Sequence, residues 1–163
     1  ETGTTFVENA IIKARYASEI TGLAAIADDS GIEIDYLKGA PGIYSARFSG
    51  DENGKGATDK NNNLKVLDAL KGVAKDQRTA RYQCILVYMQ HAKDPTPIIC
   101  QASWEGIILD KQLGDNGFGY DPLFWLPDFQ CTSAQLPAAE KNKISHRAKA
   151  LQDLHQRIKN LGN

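Results

Sequence analysis

Two long β-forming runs joined by a tight polar link limit the fold more than anything else in the chain. Arg81-Tyr-Gln-Cys-Ile-Leu-Val-Tyr-Met89 is dense in β-branched and aromatic residues. Residues 98–109 form a second such run, with a break expected at Trp104-Glu-Gly106. Between them, Asp94-Pro-Thr-Pro97 disfavours helix and favours a turn. The pair reads as a long antiparallel hairpin, and a hairpin needs other elements to cover its apolar surface.

The cover is legible as helices. Thr5-Phe-Val-Glu8 has capping-box spacing. After it, Phe6, Ala10, Ile11, Ala14, Ala17 and Ile20 form an apolar stripe, so a helix is expected over residues 4–20, ending near Thr21-Gly22. Thr58 or Asp59 caps a second helix whose stripe is Leu64, Leu67 and Leu70. Ser145 caps a last one with inner face Ala148, Leu151, Leu154, Ile158 and Leu161, ending at Leu161-Gly162. Residues 39–47 and 49–58 read as loops, and residues 130–139 as polar and irregular. A short strand is expected over residues 123–126.

The stretch that carries chemistry is Ile26-Ala-Asp-Asp-Ser-Gly31. Residues 24–27 read as a short buried strand, residues 28–31 as a polar turn, and residues 32–35 as an alternating strand. In open α/β sheets, ligands sit beyond the carboxyl ends of strands. Two acids brought to such a place are costly to desolvate, and a metal ion is the simplest compensation. The plainer alternative is a strand-end turn with solvated acids. If the strand instead continues, Asp28 and Asp29 point to opposite faces.

Bulk properties exclude several classes. With 163 residues and no repeat or linker, the chain is expected to be one domain, residues 1–163. A net charge of −1 leaves no electrostatic footprint for nucleic acid or an anionic membrane surface. No apolar run approaches a membrane span. Cys84, Cys100 and Cys131 match no zinc or CxxC pattern, so they read as reduced thiols in a cytoplasmic protein.

Four stretches in register are distinctive. They are Phe6-Val-Glu-Asn-Ala10 with Lys13, Ala27-Asp-Asp-Ser-Gly31, Pro41-Gly-Ile-Tyr-Ser-Ala-Arg47, and Gly117-Phe-Gly-Tyr-Asp-Pro122 with the later Ser145-His-Arg147. In this order they closely resemble the bacterial branch of the inosine/xanthosine triphosphate pyrophosphatase (Ham1-like) family, across essentially the whole chain. The resemblance implies an α/β fold: a long, mixed, twisted sheet flanked by helices, in two lobes with a central cleft. It implies Mg²⁺-dependent hydrolysis of ITP, dITP and XTP to monophosphate and pyrophosphate, and a homodimer. It also implies a strand, a phosphate loop with an Asn and a Lys, and a helix ahead of the position of Glu1, which this sequence does not include.

Carried onto this chain, the resemblance makes Asp29 the catalytic carboxylate, holding Mg²⁺ and positioning or deprotonating water. Glu1 becomes a second metal ligand. Glu8 is the rival for that role, though capping accounts for it. Ser30 offers a hydroxyl and an amide to a phosphate, but no His stands in a recognisable relation to make it a nucleophile. Lys13 faces the phosphates or, equally well, solvent. Phe118, Gly119, Tyr120 and Asp121 resemble the base-binding loop: a stacking ring, a close backbone approach, and groups for the base edge. Lys141 is expected at the base or the sugar–phosphate.

His146 and Arg147 are expected to donate to the 6-oxo group of hypoxanthine or xanthine, where adenine presents an amino group. Sites built this way discriminate by up to about four to five decades. Arg47 is expected at the site or at a partner subunit; Phe124, Trp125 and Tyr88 in the core or a dimer interface. His91 and His155 read as structural. Two alternatives stand beside this reading: a non-catalytic nucleotide-binding module, and a related Maf-type pyrophosphatase of other bases.

Overall fold

The computed structural model describes residues 2–51 and 55–161, without the side chain of Leu161. Glu1 and Gly162 lie outside the described residues, so the metal ligand expected at Glu1 and the last helix stop do too. The elements are α1 (Phe6–Thr21), β1 (Ala25–Ile34), α2 (Asp59–Ala69), β2 (Thr79–Met89), β3 (Ile98–Ile108), β4 (Phe124–Leu126), β5 (Cys131–Thr132), α3 (Ala138–Ile144) and α4 (His146–Leu161). The strands form one sheet in the order β1-β2-β3-β4-β5. The α/β expectation holds, and β3/β4 and β4/β5 are antiparallel. The described strands thus make an antiparallel meander, without the parallel pair that a mixed sheet contains.

The chain divides into two compact units. The first comprises Glu1–Ser30, Gln83–Ser103 and Ser145–Asn163. Here β2 shows the two-residue period of a strand covered on both sides. Ile85, Val87 and Met89 pack with Ala10 and Ala14 of α1, while Cys84 and Leu86 pack with Cys100, Ala150 and Leu154. Helix α1 starts as expected: the Thr5 Oγ1 accepts the Glu8 amide at 3.3 Å, and Glu8 Oε2 accepts the Thr5 amide at 3.0 Å. Helix α4 is rotated from the expected stripe. Ala150 and Leu154 are buried, whereas Leu151 is 48% exposed; position 151 lies about 100° around the helix from position 150.

The second unit comprises Gly31–Tyr82 and Trp104–Ile144. Its core joins Ile32, Ile34, Val66, Leu70, Trp104, Ile108, Leu123 and Phe124. The Phe124 ring lies 4.6 Å from Tyr82 and 5.6 Å from Trp104, centroid to centroid. The break expected at Trp104-Glu-Gly106 is absent, and β3 runs through it. Gly106 is needed there for space: a Cβ would stand 2.6 Å from Phe124 Cζ and 2.7 Å from the Trp125 carbonyl oxygen.

Four further expectations change. Residues 28–31 are not a strand-end turn but the middle of β1. Residues 130–139 are not irregular: they hold β5, the 3-10 helix Ser133–Gln135 and the start of α3. Residues 42–47 of the expected loop form a 3-10 helix. Helix α2 is capped by Thr58 but buries Asn62, Asn63 and Val66, leaving Leu64 48% exposed, while Leu70 at its C-cap is buried as expected.

Gly106→Ala is expected to cost about 1–3 kcal/mol through overpacking against Phe124. Urea unfolding measures it, and an unchanged midpoint would contradict the close approach described here.

Candidate active site

Because β1 continues through Asp28 and Asp29, their carboxylates leave on opposite faces. Each is met by a different helix. On one face Asp29 is 8% exposed, and Lys13 of α1 donates to its Oδ1 at 2.7 Å. Asn9, fully buried one turn earlier on the same helix, donates from Nδ2 to Asp29 Oδ2 at 3.4 Å. The Asn9 Oδ1 in turn accepts the Gly3 amide at 2.9 Å. On the other face, Arg147 of α4 donates from Nη2 to Asp28 Oδ2 at 2.8 Å, and Ser30 Oγ donates to the same oxygen at 3.1 Å. Burial pushes the Asp28 carboxyl up, but the Arg147 bond and charge, with Ser30 and Lys13, outweigh it and hold it below the usual range. Beside them, burial pushes the Cys84 thiol up.

Asp29 thus meets Asn9 and Lys13, whereas Ser30 and Arg147 meet its neighbour Asp28. The Ser30 hydroxyl is turned to Asp28. His146 is 8% exposed at the start of α4. Glu8 is engaged in the helix cap: one oxygen accepts from Thr4 N at 2.7 Å, Thr4 Oγ1 at 2.9 Å and Thr5 N at 3.0 Å. Among the described residues no three His, Cys, Asp or Glu side chains form a metal-binding group. The donor chemistry nevertheless suits a hard divalent cation, since a carboxylate such as that of Asp29 supplies anionic oxygen.

The second unit holds the residues of the expected base loop. The Phe118 ring is 63% exposed, with the Lys141 ammonium 5.0 Å from its centroid. Asp121, 2% exposed, is turned inward. It accepts the Phe118 amide at 2.9 Å, Ser133 Oγ at 2.7 Å and Tyr82 Oη at 3.3 Å, and pairs with Lys141. Tyr120 is also buried, donating from its hydroxyl to the Ser45 carbonyl at 2.7 Å. The loop thus presents Phe118 outward, while the side chains of Tyr120 and Asp121, expected at a base, brace it from beneath.

Several contributors were not legible as site residues: Asn9, Asp59, Asn63, Tyr82 and Ser133. Asn9 stood within the Phe6-Val-Glu-Asn-Ala10 motif, four residues before Lys13 on the same helical face, but carried no assigned role. Asp59 and Asn63 lie in a helix that bears none of the distinctive motifs, and Ser133 lies in a stretch that read as irregular.

Comparison with known proteins gives the family. The Ham1 family model matches residues 1–157. The chain belongs to the Ham1 family. It is 60% identical over 98% of its length to a dITP/XTP pyrophosphatase of Photobacterium profundum, covering 79% of that protein. It is 64% identical over 94% of its length to one of Shewanella oneidensis, covering 73% of that protein. Among solved structures, a HAM1 protein of Coxiella burnetii superposes with a TM-score of 0.92 at 49% identity, over 98% of this chain and 79% of that one. Membership of the Ham1 family implies a divalent metal cofactor.

Gly117 and Gly72 share a φ of +77°, but a Cβ at Gly117 would fall 2.0 Å from Asp121 Oδ2, whereas at Gly72 it meets nothing within 4 Å. Gly72→Ala is expected to cost about 1 kcal/mol of backbone strain. Gly117→Ala should cost about 1–3 kcal/mol more, from the clash. Equal losses in urea unfolding would rule out the Asp121 contact.

Proposed function

We propose that this Ham1-family protein hydrolyses deaminated purine nucleoside triphosphates (ITP, dITP and XTP) to the monophosphate and pyrophosphate, removing them from the nucleotide pool. The observation that carries the reading is the buried Asp29 carboxylate with the Lys13 ammonium 2.7 Å away, in a chain 60% identical to a protein named dITP/XTP pyrophosphatase.

In this reading Asp29 orients a water on the α-phosphorus and accepts its proton. The new P–O bond forms as the α–β bridging bond breaks, and the electron pair leaves with pyrophosphate. Lys13 stabilises charge that grows on the phosphate oxygens. Asp29, with Glu1, would hold Mg²⁺, which when bound neutralises phosphate charge and makes a bound water more acidic.

Arg147 and His146 are the proposed donors to the 6-oxo group. A guanidinium carries five N–H donors, the Asp28 bond uses Nη2, and the side chain is 42% exposed. Phe118 is the proposed stacking surface, with an exposed face suited to a purine ring. A homodimer and a cytoplasmic setting belong to the same proposal; free thiols at Cys84, Cys100 and Cys131 suit a reducing compartment.

With dITP and Mg²⁺ the products should be dIMP and pyrophosphate. Orthophosphate instead would refute the reading. Asp29→Asn is expected to lower kcat by at least about a hundredfold through loss of the base and a metal ligand, with the fold retained by circular dichroism.

A further inference from the structure

Helix α2 buries two asparagines where its leucine spacing predicted an apolar face. Each one has work to do with the backbone of another segment. Asn62 Oδ1 accepts the Ser49 amide at 2.7 Å, and its Nδ2 donates to the carbonyls of Ser45 and Ala46 at 3.3 and 3.2 Å. Asn63 Nδ2 donates to the Gly119 carbonyl at 2.8 Å and to the Asp59 carbonyl at 2.9 Å. One turn earlier, the exposed Asp59 accepts the Gly119 amide on Oδ2 at 2.7 Å. Both polar groups of Gly119 are therefore held by α2, from side chains at i and i+4 on one face.

Gly119 has φ of +61°, a left-handed conformation, and follows the exposed Phe118 directly. An exposed ring gains little from its own packing, so its direction is set by the backbone on either side. On its N-terminal side Asp121 holds the Phe118 amide. On its C-terminal side the α2 contacts grip both groups of Gly119. The backbone around Phe118 is thus held within the loop, where Asp121 accepts the Phe118 amide on its carboxylate and donates its own amide to the Phe118 carbonyl at 3.3 Å, and again by a helix more than fifty residues away in sequence.

We propose that Asp59 and Asn63 of α2 are positioning residues that aim Phe118 at the substrate's base by clamping the amide and carbonyl of Gly119. The proposal rests on the pyrophosphatase reading above. The clamp lowers the ordering cost of stacking, because the ring is already placed when the base arrives. It acts on substrate through Phe118 alone and touches neither phosphates nor metal.

The test compares Asp59→Ala, Asp59→Asn and Asn63→Ala in the full-length protein, assayed on dITP with Mg²⁺. Tripolyphosphate, which has the phosphates but no base, serves as competitor. Asp59 is exposed, so its variants are expected to fold even if the buried Asn63→Ala does not. Asp59→Ala should raise KM for dITP by about tenfold, the scale of one lost charge-assisted hydrogen bond. Its kcat should move less than threefold, and the inhibition constant of tripolyphosphate should not change. Asp59→Asn keeps an acceptor oxygen and should restore most of the KM. The proposal is overturned if Asp59→Ala keeps the parental KM, or if the tripolyphosphate constant rises in step with it. A parent protein that leaves dITP intact overturns the function itself, and that result is read before any variant is made.

Discussion

Two neighbouring carboxylates in the middle of one strand set the terms for the first unit. Side chains alternate along β1, so Asp28 and Asp29 take their ion-pair partners from different sides, although the Lys13 charge is also felt at Asp28. A buried carboxylate left without a partner is strongly destabilising. The chain answers with two helices. Helix α1 brings Asn9 and Lys13 to Asp29; α4 brings Arg147 to Asp28, helped by Ser30 from the strand itself. The β2 strand follows the same alternation, with one apolar face for α1 and the other for α4. Polar and apolar contacts therefore demand the same placement of both helices, and that agreement between levels is what makes a fold specific.

In the second unit a similar demand falls on backbone groups. The 117–121 loop has few hydrophobic anchors of its own beyond Tyr120. Its order comes from side chains that satisfy its amides and carbonyls: Asp121 from within, and Asp59 and Asn63 from α2. Buried polar side chains are tolerable when hydrogen-bonded, and here those bonds also leave Phe118 facing outward beside the Lys141 ammonium. Gly117 is required at the crossing point because Asp121 occupies the space a methyl group would need.

Much of this is legible in the sequence. The α1 cap at Thr5 and Glu8, the β2/β3 hairpin and the start of α4 follow local rules of capping, alternation and turns. Asp29, Ser30, Lys13 and Arg147 were singled out by the order of their motifs along the chain. What failed shares a cause. Residues 28–31 read as a turn because Asp, Ser and Gly are turn formers, yet partners on two helices let the strand continue through them. The α2 face read as leucine-lined because period alone cannot see that Asn62 and Asn63 have backbone groups to meet. Residues 130–139 read as irregular because β5 is only two residues long and exists by pairing with β4.

The chain's own order of residues determined which helices and long strands form, and which side chains carry charge and chemistry, because capping, periodicity and turn propensity act over a few neighbours. Only the tertiary structure decided what the other polar side chains do: that Asp121 faces inward, that Asp28 meets Arg147 across 119 positions of sequence. Those roles depend on partners that local sequence does not contain. The energy of a buried charge or amide is set by the group it meets, and not by its own identity.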